Sequence, residues 1–205
     1  MNKRVKEIAG AVGFMGLLSL VSISGVAALH LATAERVARN ADLFLQRAVL
    51  EAAGVAVPDA PAAAAELFRR EVAVEDGSIA SGRFVVRAPD AAARRTVVYR
   101  RRGRGLWGVI DAVVAVDPDA GVFGQLRILG HNETPGLGAR IEEAWFQRQI
   151  AGKTGPFALK PEGTRSEAPT EIDAITGATL SSAAVRDILN AVVRNTAEAK
   201  EAGSP

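Results

Sequence analysis

The chain has 205 residues, 23% of them charged, a formal net charge of +2 and no cysteine. That length suffices for one domain with a real core plus an appendage, and the missing cysteine excludes disulfides, thiolate nucleophiles, zinc–thiolate sites and cysteine-ligated iron–sulfur centres. With His30 and His131 as the only histidines, a multi-histidine metal site is not expected either.

The net charge resides at the N-terminus. Removing Lys3, Arg4, Lys6 and Glu7 leaves equal numbers of basic and acidic residues, so net charge gives no support to a nucleic-acid face. The cluster from Arg94 to Arg104, RRTVVYRRRGR, reads as solvated strand ends.

Ile8 to Leu29, IAGAVGFMGLLSLVSISGVAAL, is a run of 22 residues without charge, long enough as a helix to cross a bilayer. Arg and Lys precede it, and the positive-inside rule then leaves the N-terminus in the cytoplasm and the rest outside. A retained anchor is the primary reading. A cleaved secretory signal ending near Ala32-Thr33-Ala34 and a buried core helix are the alternatives. The expected division is residues 1–31 as cytoplasmic N-terminus and anchor, 32–81 as a helical connector broken at Pro58-Asp59-Ala60-Pro61, 82–198 as the main domain and 199–205 as a flexible tail.

From Gly82 onward the runs RFVVRA, RTVVYRR, WGVIDAVVAVD and QLRILGH are short and β-branched, and they predict strands. Asp117-Pro118-Asp119-Ala120-Gly121 is turn chemistry, predicting an antiparallel hairpin between the last two. One helix is predicted along GLGARIEEAWFQRQIAGK, ending near Gly152, with Ile141, Trp145 and Ile150 as candidate buried positions. A second is predicted from about Ser182, where Val185, Ile188, Leu189, Val192 and Val193 repeat at helical spacing. The fold class is therefore α+β: a mostly antiparallel sheet with flanking helices, behind one transmembrane helix and a connecting helix.

Three segments have the composition of binding loops. DAITGATLSS, Asp173 to Ser182, precedes the last helix, and Ser181 or Ser182 is a suitable N-cap. Helix N-termini favour phosphate, and Gly177 and Ala178 let a bulky ligand approach the backbone. Spacing alone nevertheless favours an ordinary helix start. GHNETPGLGAR, Gly130 to Arg140, turns at Thr134-Pro135 and gains freedom at Gly136 and Gly138, either as a binding loop or as a tight strand-to-helix connection with Glu133 bonding local amides. In GRGLWG, Gly103 to Gly108, Trp107 either walls a flat heterocycle or belongs to the core.

Taken together and in this order behind one membrane span, these segments resemble the FMN-binding subunit family of respiratory electron-transfer complexes, represented by the C subunit of the sodium-translocating NADH:quinone oxidoreductase and the G subunit of the Rnf complex. HNETPGLGARI is similar to the family's ETPGLG segment, and DAITGATLSS to its flavin-attachment motif. The resemblance implies FMN joined by a phosphoester to Thr179, with Asp173, Thr176, Gly177 and Ala178 completing the motif. Leu180, Ser181 and Ser182 stand where the family more often has an apolar residue followed by Thr and Ser, a mild departure next to the acceptor. Glu133, Thr134, Gly136, Leu137, Gly138 and Trp107 would lie near the flavin.

The resemblance further implies a flavin transferase that loads FMN from FAD, other subunits of a membrane complex as partners, and a periplasmic FMN domain on a single-pass inner-membrane protein. The chain would relay electrons as a redox subunit and would not act as an independent enzyme. A stand-alone anchored FMN protein and a flavin-free assembly module are the other readings.

Overall fold

The computed structural model describes residues 3–75, 82–87 and 96–202. Arg94 and Arg95 of the basic cluster, the residues 76–81 at the expected end of the connector, and the last three residues of the expected tail lie outside the described residues. The chain divides into two compact units, Met1–Asp42 and Leu43–Pro205.

The first unit is helical. It holds most of α1 (Lys3–Ala52), the one helix among the described residues long and apolar enough to cross a membrane. Ile8, Phe14, Leu20, Val26 and Leu29 of this helix are all exposed. A helix apolar on every side needs an apolar surrounding, which a bilayer supplies.

The second unit begins with the C-terminal turns of α1. The helix stops at Ala52, where Gly54 adopts φ 79° and the Val55 amide returns to the Leu50 carbonyl at 2.9 Å. That left-handed residue satisfies carbonyls that the helix end would leave open. Proline at the first position then opens α2 (Pro61–Glu71), which buries Ala64 and Phe68, one turn apart.

Five strands follow as an antiparallel meander in sequence order: β1 (Val72–Glu75), β2 (Arg83–Val86), β3 (Thr96–Arg104), β4 (Val109–Asp117) and β5 (Val122–Gly130). The predicted β4–β5 hairpin is present. Asp117 Oδ1 accepts the Asp119 and Ala120 amides at 2.9 and 3.0 Å, and Gly121 takes φ 68°.

Both faces of the sheet are covered, which is why β4 reads as an almost continuous apolar run. Val97, Tyr99, Ala112, Val114 and Val116 face one core with the C-terminal helix α4 (Thr179–Ala202). Val98, Val113 and Ala115 face the other, built from Leu45, Val49 and Leu50 of α1 and Phe68 of α2. The expected connector thus supplies the helices that cover one face of the sheet. Within this core α4 lies close over β3 because Gly103 has no side chain: a Cβ there would sit 2.8 Å from Ile188 Cγ1.

The helix predicted after Gly136 is replaced by two short pieces, a 3-10 turn at Gly138–Glu142 and α3 (Ala144–Arg148). Glu143 between them has an extended ψ of 138°, which interrupts the ladder and resets the helical phase. As a result Ile141, Phe146 and Ile150 are fully buried, whereas Trp145 is only partly covered. A parallel pair, β6 (Ala158–Lys160) and β7 (Glu171–Asp173), leads into α4. Val185, Ile188, Leu189 and Val192 of α4 are buried as their spacing predicts, and the helix persists to Ala202 where a flexible tail was expected from 199.

Arg100 and Arg102 of β3 both reach Asp111, and Arg101 donates to Asn195, so these three arginines of the basic cluster are engaged internally, while Arg104 is exposed. Burial works against charge on Asp111, but the two guanidiniums overcome it and hold its pKa below the ordinary carboxylate value.

Candidate functional site

The last helix starts at Thr179, three residues before the expected position. The residues ahead of it form a turn in which the Ala178 amide reaches the Ile175 carbonyl at 3.0 Å and Gly177 takes φ 78°. This geometry demands glycine at the third position, and it brings the backbone into helical register by Thr179. Neither serine is therefore the N-cap. Ser182 lies in the first turn, where its hydroxyl donates to the Ala178 carbonyl at 3.0 Å and accepts the Ile175 amide at 2.9 Å. Ser181 is buried and its hydroxyl donates to Glu133 Oε2 at 2.5 Å.

Thr179 itself is exposed at the start of α4. The first amide of the helix with an internal partner is that of Ser182, which reaches the Ala178 carbonyl at 3.0 Å. The amides of the turn before it, at Thr179, Leu180 and Ser181, therefore lie at the positive end of the helix dipole beside the Thr179 hydroxyl. This arrangement suits a phosphate group.

Glu133 joins all three loops. Its carboxylate is 5% exposed, and beside the Ser181 hydroxyl it accepts the Trp107 amide on Oε1 at 3.1 Å. Its own amide donates to His131 Nδ1 at 3.0 Å, while His131 Nε2 lies 3.2 Å from Glu142. Glycines allow this convergence. A Cβ on Gly105 would stand 2.3 Å from Glu133 Oε1, and one on Gly138 would stand 2.5 Å from Ser181 Oγ and 2.6 Å from Glu133 Oε2. Gly136, by contrast, has open space and a φ of 75°, so its requirement is conformational, in a turn where Thr134 O accepts the Leu137 and Ala139 amides.

Trp107, Leu137 and Leu180 are exposed, as is Leu106. Leu137 comes close to the turn before α4, since a Cβ on Gly177 would lie 3.3 Å from its Cδ2. Apolar side chains open to solvent around a helix start are a suitable wall for a flat heterocycle. Thr134, Thr176 and Gly177 are likewise at the surface, and Ala178 is buried beneath the turn.

Asp173 is placed differently. It is buried, and its Oδ2 accepts the amides of Gly163 and Arg165 at 3.0 and 2.9 Å, within the loop between β6 and β7. Gln149 pairs with its backbone in both directions, at 2.7 and 3.0 Å. The sequence reading missed Glu162 of the same loop. Its Oε2 accepts the Thr176 amide at 2.6 Å, and both carboxylate oxygens pair with Arg140, at 2.7 and 3.2 Å. The Arg140 bonds, aided by those from Thr176, lower the Glu162 pKa from 4.5 to about 2. Nothing in the segment PEGTR, where Glu162 stands, marks it as functional. Arg140 stands at the end of the GHNETPGLGAR segment.

Residues 105–194, from the β3–β4 loop into α4, match the family described as FMN-binding domain. This part of the chain is similar to an FMN-binding domain. The matched span contains every residue placed at the site above, and the free first-turn amides, exposed hydroxyl and open apolar wall fit a phosphorylated flavin. The C subunit of the Na(+)-translocating NADH-quinone reductase from Yersinia pestis is 36% identical over 95 residues, covering 43% of this chain and 36% of that protein. The G subunit of the proton-translocating ferredoxin:NAD(+) oxidoreductase complex from Clostridium ljungdahlii is 39% identical over 93 residues, covering 44% and 49%. The chain thus spans less than half the length of these relatives.

Among solved structures, the C subunit of the Na(+)-translocating NADH-quinone reductase from Parabacteroides distasonis superposes with a TM-score of 0.66 at 21% identity. The match covers 82% of this chain and 96% of that one. NqrC of Shewanella oneidensis gives 0.61 at 21% identity, covering 71% and 88%. These likenesses establish the fold of the FMN-binding domain, an antiparallel sheet with flanking helices.

Proposed function

We propose that the FMN-binding domain carries FMN covalently, as a phosphoester on Thr179, and relays electrons as a subunit of an ion-translocating membrane complex of the kind named for its relatives. The observation that carries this reading is the Thr179 hydroxyl, exposed on the first residue of α4 beside amides suited to a phosphate, within the span matched to the FMN-binding family.

Attachment is a group transfer from FAD. The Thr179 oxygen forms a bond to the FMN-side phosphorus, the pyrophosphate linkage breaks, AMP leaves, and the hydroxyl proton passes to a base of the flavin transferase. No electrons move in this step. Once bound, FMN supplies one- and two-electron redox chemistry. The chain contributes the hold: amides of the first turn of α4 bind the phosphate, while Trp107, Leu106, Leu137 and Leu180 exclude water from the ring system.

The anchor in α1 would be retained, with residues 1–31 on the cytoplasmic side and in the membrane, residues 32–81 as connector and residues 82–198 on the periplasmic side, where the transferase acts. A covalent cofactor cannot diffuse away there. Intact-mass analysis of the full chain, co-expressed with a flavin transferase, tests the reading. One FMN adduct on the wild type and none on Thr179→Ala is expected; an unmodified wild type refutes it.

A further inference from the structure

We propose that Glu162 is a positioning residue for flavin attachment: by holding the Thr176 amide it fixes the turn that presents the Thr179 hydroxyl. This inference rests on Thr179 as the attachment point.

Two backbone amides of the turn from Ile175 to Ala178 are taken by side chains. The Ile175 amide is taken from the helix side by the Ser182 hydroxyl, and the Thr176 amide is taken from outside by Glu162 Oε2. Both bonds hold the backbone just ahead of Thr179. Without the second, Thr176 and Gly177, both exposed, are restrained on one side only.

Glu162 is itself held twice. Arg140, at the end of the GHNETPGLGAR segment, pairs with both of its oxygens, which orients the carboxylate plane. The loop beneath is anchored by Asp173, whose Oδ2 accepts the amides of Gly163 and Arg165, just beyond Glu162 in the chain. Asp173 is buried, and its side chain anchors the loop that carries Glu162. A residue outside both motifs thereby links them.

Misplacement of a reacting group by about an ångström can slow a reaction on the order of 100-fold. Three variants of the full chain separate the contributions: Glu162→Ala removes both contacts, Glu162→Gln keeps an acceptor for the Thr176 amide while weakening the ion pair, and Glu162→Arg combined with Arg140→Glu restores an ion pair without that acceptor. The readouts are the rate of FMN transfer from FAD by a purified flavin transferase, followed by intact mass, and hydrogen exchange of the Thr176 amide before loading. Glu162→Ala and the charge swap are expected to slow transfer roughly 10- to 100-fold and to accelerate Thr176 exchange, with Glu162→Gln staying within about threefold of wild type.

Wild-type transfer rates in Glu162→Ala or in the charge swap overturn the proposal and leave the attachment reading standing. Should Glu162→Ala not fold, the contrast between Glu162→Gln and the swap still decides, and equal slowing of both overturns the role of the amide. A wild type that takes no FMN on Thr179 overturns both readings.

Discussion

The Ser181 hydroxyl donates to Glu133 Oε2 at 2.5 Å, across 48 residues of chain and with both side chains buried. The other carboxylate oxygen of Glu133 takes the Trp107 amide, so one side chain ties the β3–β4 loop, the GHNETPGLGAR loop and the first turn of α4. Removing a donor from a buried carboxylate leaves it short of a partner. Ser181→Ala is therefore expected to destabilise the domain by about 1–3 kcal/mol in urea titrations, with Glu133→Ala costing more because the Trp107 amide is also stranded.

The glycines around this carboxylate separate two kinds of requirement. Gly138→Ala places a methyl group 2.5 Å from Ser181 Oγ and 2.6 Å from Glu133 Oε2, whose positions are fixed by their mutual bond. Gly136→Ala meets no atom within 4 Å and strains only the backbone at φ 75°. The first should cost about 1–3 kcal/mol and disturb the Trp107 environment, seen in its fluorescence. Gly136→Ala should cost about 1–2 kcal/mol without that spectral change.

Glu162 gives a pH signature. Its folded pKa, about 2, lies below the ordinary 4.5, so the Arg140 and Thr176 bonds contribute stability above the ordinary value. That contribution is lost as pH falls from about 4.5 through about 2. An NMR titration should show the Thr176 amide shifting with the Glu162 carboxyl carbon at a midpoint near 2. A midpoint at 4.5 would contradict the bonded geometry.

At the proposed attachment residue, Thr179→Ser keeps a hydroxyl on the first residue of α4 and should still acquire FMN by intact mass, whereas Thr179→Val keeps the shape without the hydroxyl and should acquire none. Failure of the serine variant would mean that the threonine methyl orients the oxygen.

In the core, Leu189 is fully buried in α4 within the cluster that includes Val114 and Ile172. Leu189→Ala should lower stability by about 2–5 kcal/mol in chemical denaturation and thereby also reduce flavin loading at elevated temperature.

Much of the molecule was legible from local pattern. Charge-free length marked the membrane-crossing helix, β-branched runs marked β3 to β5, and i, i+3, i+4 spacing marked the buried face of α4, because these signals are written in consecutive residues. The helix after Gly136 misled for a local reason too: its apolar spacing is genuine, but the extended backbone at Glu143 divides it, which leaves Phe146 and not Trp145 fully buried.

The serines show what sequence alone leaves open. Their composition marked a helix start, and the tertiary contacts reassigned them, one to Glu133 and one to the turn before the helix. By itself the sequence determined the membrane-spanning length, the α+β class and the presence of glycine-rich loops, all of which depend on residue type and near spacing. Only the tertiary structure decided that Glu133 joins three loops, that Asp173 points into the β6–β7 loop, and that Glu162 and Arg140 brace the turn before Thr179. Those bonds pair residues far apart in the chain, and a hydrogen bond depends on ångström-scale placement that side-chain identity does not encode.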